Sequence, residues 1–289
     1  LGIVEPRHVA SVTQALIDDI RANNNGLTTG EVAHVYMLRA LQAAGRADLI
    51  YAMTNQTETP GYGFQIAQGV TSLAERWDGQ SVILWGSLNH FMQGHIMEWF
   101  YRHLGGIQLD PGDAAFRKII IKPSLVGDIS SVQTTYDSTQ GLIRSQWSLE
   151  GDQLTMRVSI PVGATATVHV PAGSVESVRE SGLPISEAPG VTEQGMQDGY
   201  AVFGVGSGDY VFTSRPALSV PIITGGETTK TSVTIEWSPV SGATEYTVKR
   251  ASSPGGPFAT IAGHLTETHF TDRNLATEAT YYYVVSASD

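Results

Sequence analysis

The residues with usable chemistry concentrate between Thr57 and His90. The stretch reads Pro60-Gly61-Tyr62-Gly63-Phe64-Gln65, then Gly69-Val70-Thr71-Ser72-Leu73-Ala74-Glu75-Arg76-Trp77-Asp78-Gly79, then Ser87-Leu88-Asn89-His90. Carboxylates, a guanidinium, aromatic rings and an imidazole fall together in an aperiodic segment. Sugar sites are made from these types. Aromatic faces stack on the apolar faces of pyranose rings, while Asn, Arg and carboxylates hydrogen-bond the hydroxyls in bidentate fashion. The same residues also read as an ordinary loop, with Glu75, Arg76 and Asp78 as solvated charges and Trp77 covering helix ends. Residue types alone leave both readings open.

Other chemistries find no support. The chain has no cysteine, so disulfides, thiolate nucleophiles and Cys-based metal sites are excluded. No HExxH, P-loop or GxSxG motif occurs. His90, His95 and His103 share a predicted helix, but His95 and His103 stand two turns apart with no carboxylate at ligand spacing. Neither a metal nor a cofactor is expected. Gly204-Val205-Gly206-Ser207-Gly208 lies between strand-like runs and reads as a hairpin tip.

The elements that must position these residues change texture twice along 289 residues, a length suited to two or three domains. From Arg7 to about Ile107 the apolar period is helical. One helix spans His8–Arg21, with Val9, Val12, Ala15, Leu16 and Ile20 on one stripe. Thr28-Thr29-Gly30-Glu31 reads as a capping box that opens a second helix, Thr28 as N-cap and Glu31 at N3, running to Gly45. A third covers Ala47–Thr54. The fourth starts after Ser87, a good N-cap, and carries Leu88, Phe91, Met92, Ile96, Trp99, Phe100 and Leu104 to a stop at Gly105-Gly106. His90 would then sit at about the third helical position, where the macrodipole disfavours imidazolium.

From Phe116 the period falls to two. Strands are expected over Lys118–Lys122, Ser131–Tyr136, Leu142–Leu149, Gln153–Ile160, Thr165–Val170 and Tyr200–Thr213, the rhythm of an antiparallel sandwich. Pro216–Pro221 is a Pro-bounded linker. Beyond it, short strands are expected at Ser232–Trp237, Glu245–Arg250, Phe258–Ile261 and Tyr281–Ser286. This last unit resembles a fibronectin type III domain, with Trp237 in the core. Leu275 and Tyr281 match that family's corner, in which a Tyr hydroxyl bonds back to the chain. The chain stops where the last strand of such a domain is expected.

Charge bounds the partners. Lys and Arg total 17 against 28 Asp and Glu, a net −11. That balance repels phosphate backbones and anionic surfaces, so no nucleic acid is expected. No apolar run approaches the roughly 18 residues of a membrane span.

Three stretches together resemble the bacterial α-L-rhamnosidase family. They are Leu27-Thr28-Thr29-Gly30 followed by Leu38–Leu49, the run Gly69–Gly79, and Ser87-Leu88-Asn89-His90-Phe91. Phe116–Pro123 and Tyr136-Asp137-Ser138 with Gly141 resemble the β-domain of the same family, so the likeness covers roughly residues 1–215 in consistent order. The resemblance implies a multidomain protein, α then β. Residues 1–112 would be the C-terminal part of an (α/α)6 barrel, 113–215 an antiparallel β-sandwich, and 216–289 a fibronectin type III-like domain without its last strand. It implies inverting cleavage of terminal L-rhamnose by two carboxylates. Glu75 matches the family's general base and His90 its sugar-contacting histidine; Tyr62, Arg76, Trp77 and Asn89 are further candidates for substrate binding. Adjacent Arg76 would favour the Glu75 anion. The general acid falls upstream in the family, in the half of the barrel that this chain lacks.

Two positions depart from the family pattern. Ala74 stands where many members have Trp, and Pro60-Gly61-Tyr62-Gly63 replaces an aromatic Ser-Trp-Gly. Both alter the pocket wall and leave the sugar's identity open. The implied partners are a rhamnose-containing oligosaccharide, polysaccharide or glycoside and the N-terminal part of the same enzyme. The implied location is secreted or periplasmic, in a bacterium. The alternatives are a non-catalytic carbohydrate-binding or scaffold protein, or a related barrel hydrolase acting on another deoxy or uronic sugar.

Overall fold

The computed structural model describes residues 4–79, 87–217, 221, 223–240, 243–253 and 256–288. Trp85 and part of the Pro216–Pro221 linker lie outside them. Helices come first and β-sheets follow, as the sequence periods imply. Helix α1 (Pro6–Ala22) starts with Pro6 in its first turn, where a missing N–H costs nothing. Of its expected stripe only Ile20 is buried and Leu16 half-buried, whereas Val9 and Val12 stand about half exposed; Ile17, outside that stripe, is buried too.

Helix α2 (Glu31–Ala43) does not use the capping box. Its N-cap is Gly30, no side chain caps it, and Glu31 is the first helical residue rather than N3. Thr29 has turned elsewhere: its carbonyl accepts the Trp77 indole N–H and its hydroxyl meets the Met37 sulfur. Helices α3 (Ala47–Asn55) and α4 (Tyr62–Ala67) follow. Leu38, Leu41, Ile50, Met53, Ile96 and Trp99 form the core of this helical part.

The expected long helix from Ser87 begins later and is irregular. His90 is extended (φ −99°, ψ 90°); a tight 3₁₀ segment covers Phe91–His95, α5 covers Ile96–Trp99, and Phe100–Leu104 widens to π geometry. Leu88 and Phe91 are exposed, so the apolar stripe that suggested an earlier start is not buried. The stop at Gly105-Gly106 is as expected. Gly106 has φ +83°, and a Cβ there would meet the Pro123 backbone nitrogen at 2.5 Å.

Gly105-Gly106 is also the joint to the sandwich. Ser124 N–H donates to the His103 carbonyl (2.7 Å), and the Trp147 indole donates to the Leu104 carbonyl (2.9 Å). Two sheets pack face to face. One contains β1 (Ile107–Leu109), β2 (Lys118–Ile121), β6 (Thr165–Pro171), β10 (Tyr200–Val205) and β9 (Val191–Gln197), in that order. The other runs β3 (Ser131–Ser138), β4 (Gly141–Glu150), β5 (Gln153–Ile160), β11 (Gly208–Ser214), β7 (Arg179–Glu180) and β8 (Leu183–Pro184). Every pair is antiparallel except β2 with β6. Among the described residues, helical segments beyond Asp113 are three-residue turns.

The Gly204–Gly208 segment is not a hairpin tip. β10 pairs with β6 and β9, β11 with β5 and β7, so the turn carries the chain from one sheet to the other. The run Tyr200–Thr213 is therefore two strands, and Phe203 stacks on Phe212 across the core at 5.6 Å.

The third part has two three-stranded sheets. Their orders are β12 (Ile223–Thr228), β13 (Ser232–Trp237), β16 (His269–Arg273), and β15 (Ala259–Leu265), β14 (Glu245–Ala251), β17 (Tyr282–Ser288). Trp237 is buried edge-on against Tyr246. The Tyr281 hydroxyl accepts the Ala276 N–H at 3.2 Å, which is the expected corner beside buried Leu275. This is a fibronectin type III-like arrangement.

Candidate functional site

Segment 68–79 has neither helix nor strand, so its backbone groups must find partners elsewhere. Some are in segment 87–90: Glu75 N–H donates to the Ser87 carbonyl (2.9 Å), His90 N–H to the Leu73 carbonyl (2.7 Å), and the Ser72 hydroxyl to the Leu88 carbonyl. The Glu75 carboxylate closes the same clasp, since Oε2 accepts the Ser87 N–H at 2.8 Å. Glu75 is half-buried.

Two glutamines hold the same loop from inside. Gln65, on α4, accepts the Ala74 N–H at 3.3 Å and donates to the Arg76 carbonyl at 2.9 Å. Gln93, on the 3₁₀ segment, donates to the Glu75 carbonyl at 2.8 Å. Both side chains are buried.

Behind the loop lies a buried aromatic group. Trp77 and Tyr62 meet edge to face at 5.0 Å, and His34 lies 5.0 Å from Trp77. The Tyr62 hydroxyl donates to the Gln93 carbonyl and stands 3.3 Å from His34 Nε2. That hydroxyl's proton is committed, so Nε2 carries the His34 proton and donates to the hydroxyl oxygen. Burial raises the Tyr62 pKa, and burial together with nearby His95 lowers that of His34 to about 4. Among the described residues, four enclosed polar atoms of this region lack a hydrogen-bond partner: His34 Nδ1, His90 Nε2, Gln93 Oε1 and His95 Nδ1.

The candidates thus fall into three groups. Glu75 and His90 belong to the two clasped segments, Tyr62 and Trp77 to the buried wall, and Asn89 is exposed on the rim. Arg76 points elsewhere: it is exposed and pairs with Asp78 at 2.9 Å. The expected pairing of Arg76 with Glu75 is absent, and the Glu75 carboxylate is oriented by the Ser87 N–H instead. His90 precedes its helical segment instead of occupying its first turn, so the macrodipole argument does not apply to it. His34, Gln65 and Gln93 escaped the sequence reading. His34 offered a signal, a polar residue with Met37 and Leu38 at helical spacing; Gln65 and Gln93 offered none. Among the described residues, no group of three or more His, Asp or Glu could hold a metal ion, and no helix is long and apolar enough to cross a membrane.

The helical part, with its carboxylate and histidines, is followed by a sandwich, and both match one glycosidase family. Residues 1–104 match the bacterial alpha-L-rhamnosidase 6 hairpin glycosidase domain, and residues 106–182 match the bacterial alpha-L-rhamnosidase C-terminal domain. Residues 1–182 belong to the bacterial α-L-rhamnosidase family. An alpha-L-rhamnosidase of Streptomyces avermitilis is 31% identical over 204 residues, covering 68% of this chain and 19% of the relative. The solved alpha-L-rhamnosidase of Dictyoglumus thermophilum superposes with a TM-score of 0.66 at 32% identity, covering 73% of this chain and 24% of that one. The Streptomyces avermitilis structure complexed with L-rhamnose gives 0.64 at 29% identity, over 71% and 20%. The chain therefore spans about a fifth of the length of these relatives.

Proposed function

We propose that this chain is the C-terminal portion of a glycoside hydrolase that removes terminal α-L-rhamnose with inversion. Glu75 is the general base, and the general acid comes from helices outside this chain. The helices of residues 1–112 are the last of an (α/α)6 barrel, followed by the sandwich of 113–215 and the type III-like unit of 216–289. The parent enzyme works outside the cytoplasm on a rhamnose-containing glycoside, oligosaccharide or polysaccharide.

The observation that carries this reading is the setting of Glu75. Its carboxylate is fixed by a backbone N–H at one oxygen, beside His90, within a segment that matches a rhamnosidase catalytic domain. Inverting hydrolysis needs a base to take a proton from water on one face of the sugar and an acid, about 6.5–9.5 Å away, to protonate the leaving oxygen on the other. A carboxylate held at one oxygen keeps its orientation and can accept that proton. We assign His90 the sugar-contacting role on the family likeness; its Nε2 is enclosed and has no partner among the described residues, so the rest of the barrel must open a path to it. Tyr62 and Trp77 supply the wall behind it. Exposed Asn89 stays a candidate for substrate contact, and Arg76 could join it only by leaving Asp78.

The test compares the 289-residue chain with its parent enzyme on an aryl α-L-rhamnoside, following the product anomer by NMR. The parent is expected to release β-L-rhamnose first, and the chain alone to do nothing. Turnover by the chain, or first release of the α-anomer, contradicts the proposal.

A further inference from the structure

We infer that Gln65 and Gln93 are positioning residues for the Glu75 carboxylate. The inference rests on the reading of Glu75 as general base. The Glu75 loop has no regular secondary structure to hold its backbone, yet three consecutive residues, Ala74, Glu75 and Arg76, have a peptide group gripped by a buried amide side chain. Gln65 takes the N–H before Glu75 and the carbonyl after it, bridging the residue like a staple. Gln93 takes the carbonyl of Glu75 itself.

The grip is redundant in direction and therefore restrictive. Gln65 comes from α4, and Gln93 from the segment that follows His90. The loop is pulled from two elements at once, and the Ser87 N–H then orients the carboxylate that emerges. The main chain that carries Gln93 is itself tied down. The Gln93 backbone carbonyl accepts the Tyr62 hydroxyl, and Tyr62 packs on Trp77, whose indole is tied to Thr29. His90 N–H donates to the Leu73 carbonyl and the His90 carbonyl accepts the Gln93 backbone N–H, so Glu75 and His90 share one scaffold. No acidic or basic side chain is needed. The neutral Gln65 amide both donates and accepts from one planar head, whereas Gln93 only donates. Placing it next to a base adds no charge to the base's surroundings.

Substitution should move the base without removing it. Misplacement of a catalytic group by about 1 Å costs about 10²-fold in rate. The test uses the parent enzyme with Gln65→Met, Gln93→Met, the milder Gln65→Asn, and Glu75→Gln as reference. Gln65→Asn keeps a neutral amide that is one methylene too short to hold both Ala74 and Arg76. The Met variants should lower kcat about 10–100-fold with KM within about threefold, because substrate contacts remain. Gln65→Asn should fall between them and wild type. Azide should rescue Glu75→Gln, which has lost its base, and rescue none of the glutamine variants, which keep it. In the 289-residue chain, amide hydrogen exchange at Ala74 should quicken in the Gln65 variants while Ile50 and Met53 exchange as before.

Unchanged kcat in the glutamine variants, with Glu75→Gln inactive, overturns this inference and leaves the base intact. A loss of kcat that merely follows a loss of folded protein, with Ile50 and Met53 exchanging faster too, overturns it as well. If Met substitution prevents folding of the parent, Gln65→Asn carries the same comparison. If Glu75→Gln itself keeps its rate, the reading of Glu75 is what fails.

Discussion

Histidine 34 gives the account a prediction about pH. It is almost fully buried on α2, its Nε2–H is used by Tyr62, and its Nδ1 has no partner among the described residues. Protonation would place a second N–H where nothing accepts it, inside a dry cluster and near His95. The folded pKa is accordingly about 4, against an ordinary value of 6.5 in the unfolded chain. As pH falls through 6.5 the unfolded chain takes up the proton first, so stability is lost between about pH 6.5 and 4 and stays lost below. At pH 5 the cost is about 2 kcal/mol from this residue, from the linkage relation. His103 and His169 shift in the same direction, chiefly by burial, and steepen the overall fall. Urea unfolding followed by far-UV circular dichroism at about pH 7.5 and about pH 5, for wild type and His34→Gln, isolates the term. Carboxylate contributions common to both proteins cancel. The variant should lose about 2 kcal/mol less than wild type between the two conditions. Equal losses would refute the reasoning, because His34 would then titrate alike in both states.

Other consequences are simpler. Gly106→Ala should cost about 2–5 kcal/mol, from a left-handed backbone and a clash with Pro123, whereas Gly45→Ala (φ +71° with open space around it) should cost only about 1–2 kcal/mol; urea midpoints compare them. Trp147→Phe should lose about 1–3 kcal/mol by leaving the Leu104 carbonyl unpaired at the joint, measured in the same way. Glu31→Gln should leave kcat of the parent unchanged and stability within about 0.5 kcal/mol, since the side chain caps nothing.

The sequence made some elements legible because their period had one plausible cause. Alternation over Gln153–Ile160 and Glu245–Arg250 could only be half-buried strand, and those strands are present. The helix stop at Gly105-Gly106 was legible because left-handed backbone there needs glycine. The capping box with Thr28 as N-cap failed because α2 starts two residues later, after Gly30, in a segment whose Thr29 is held by Trp77 and Met37, tertiary partners that no local pattern reveals. The turn at Gly204–Gly208 failed for the same kind of reason: glycine marks where a chain turns but not which sheet it joins next. At the candidate site, the family likeness pointed to Glu75 and His90. It did not disclose Gln65, Gln93 or His34, whose parts depend on where α2 and α4 place them relative to the loop. Arg76 was misjudged because adjacency in sequence suggested an ion pair with Glu75, while an exposed loop lets a long side chain reach Asp78.

Glu75→Gln in the parent enzyme tests the central claim most directly. Glutamine retains an oxygen that can accept the Ser87 N–H, so the clasp that orders the loop survives and a purely structural Glu75 would be replaced at little cost. A general base would not, because the amide cannot take a proton from water. The account predicts a fall in kcat of about 10²–10⁴-fold with KM nearly unchanged, and recovery of turnover by azide with formation of the β-L-rhamnosyl azide. A variant that keeps wild-type kcat would contradict it and reduce Glu75 to a loop fastener.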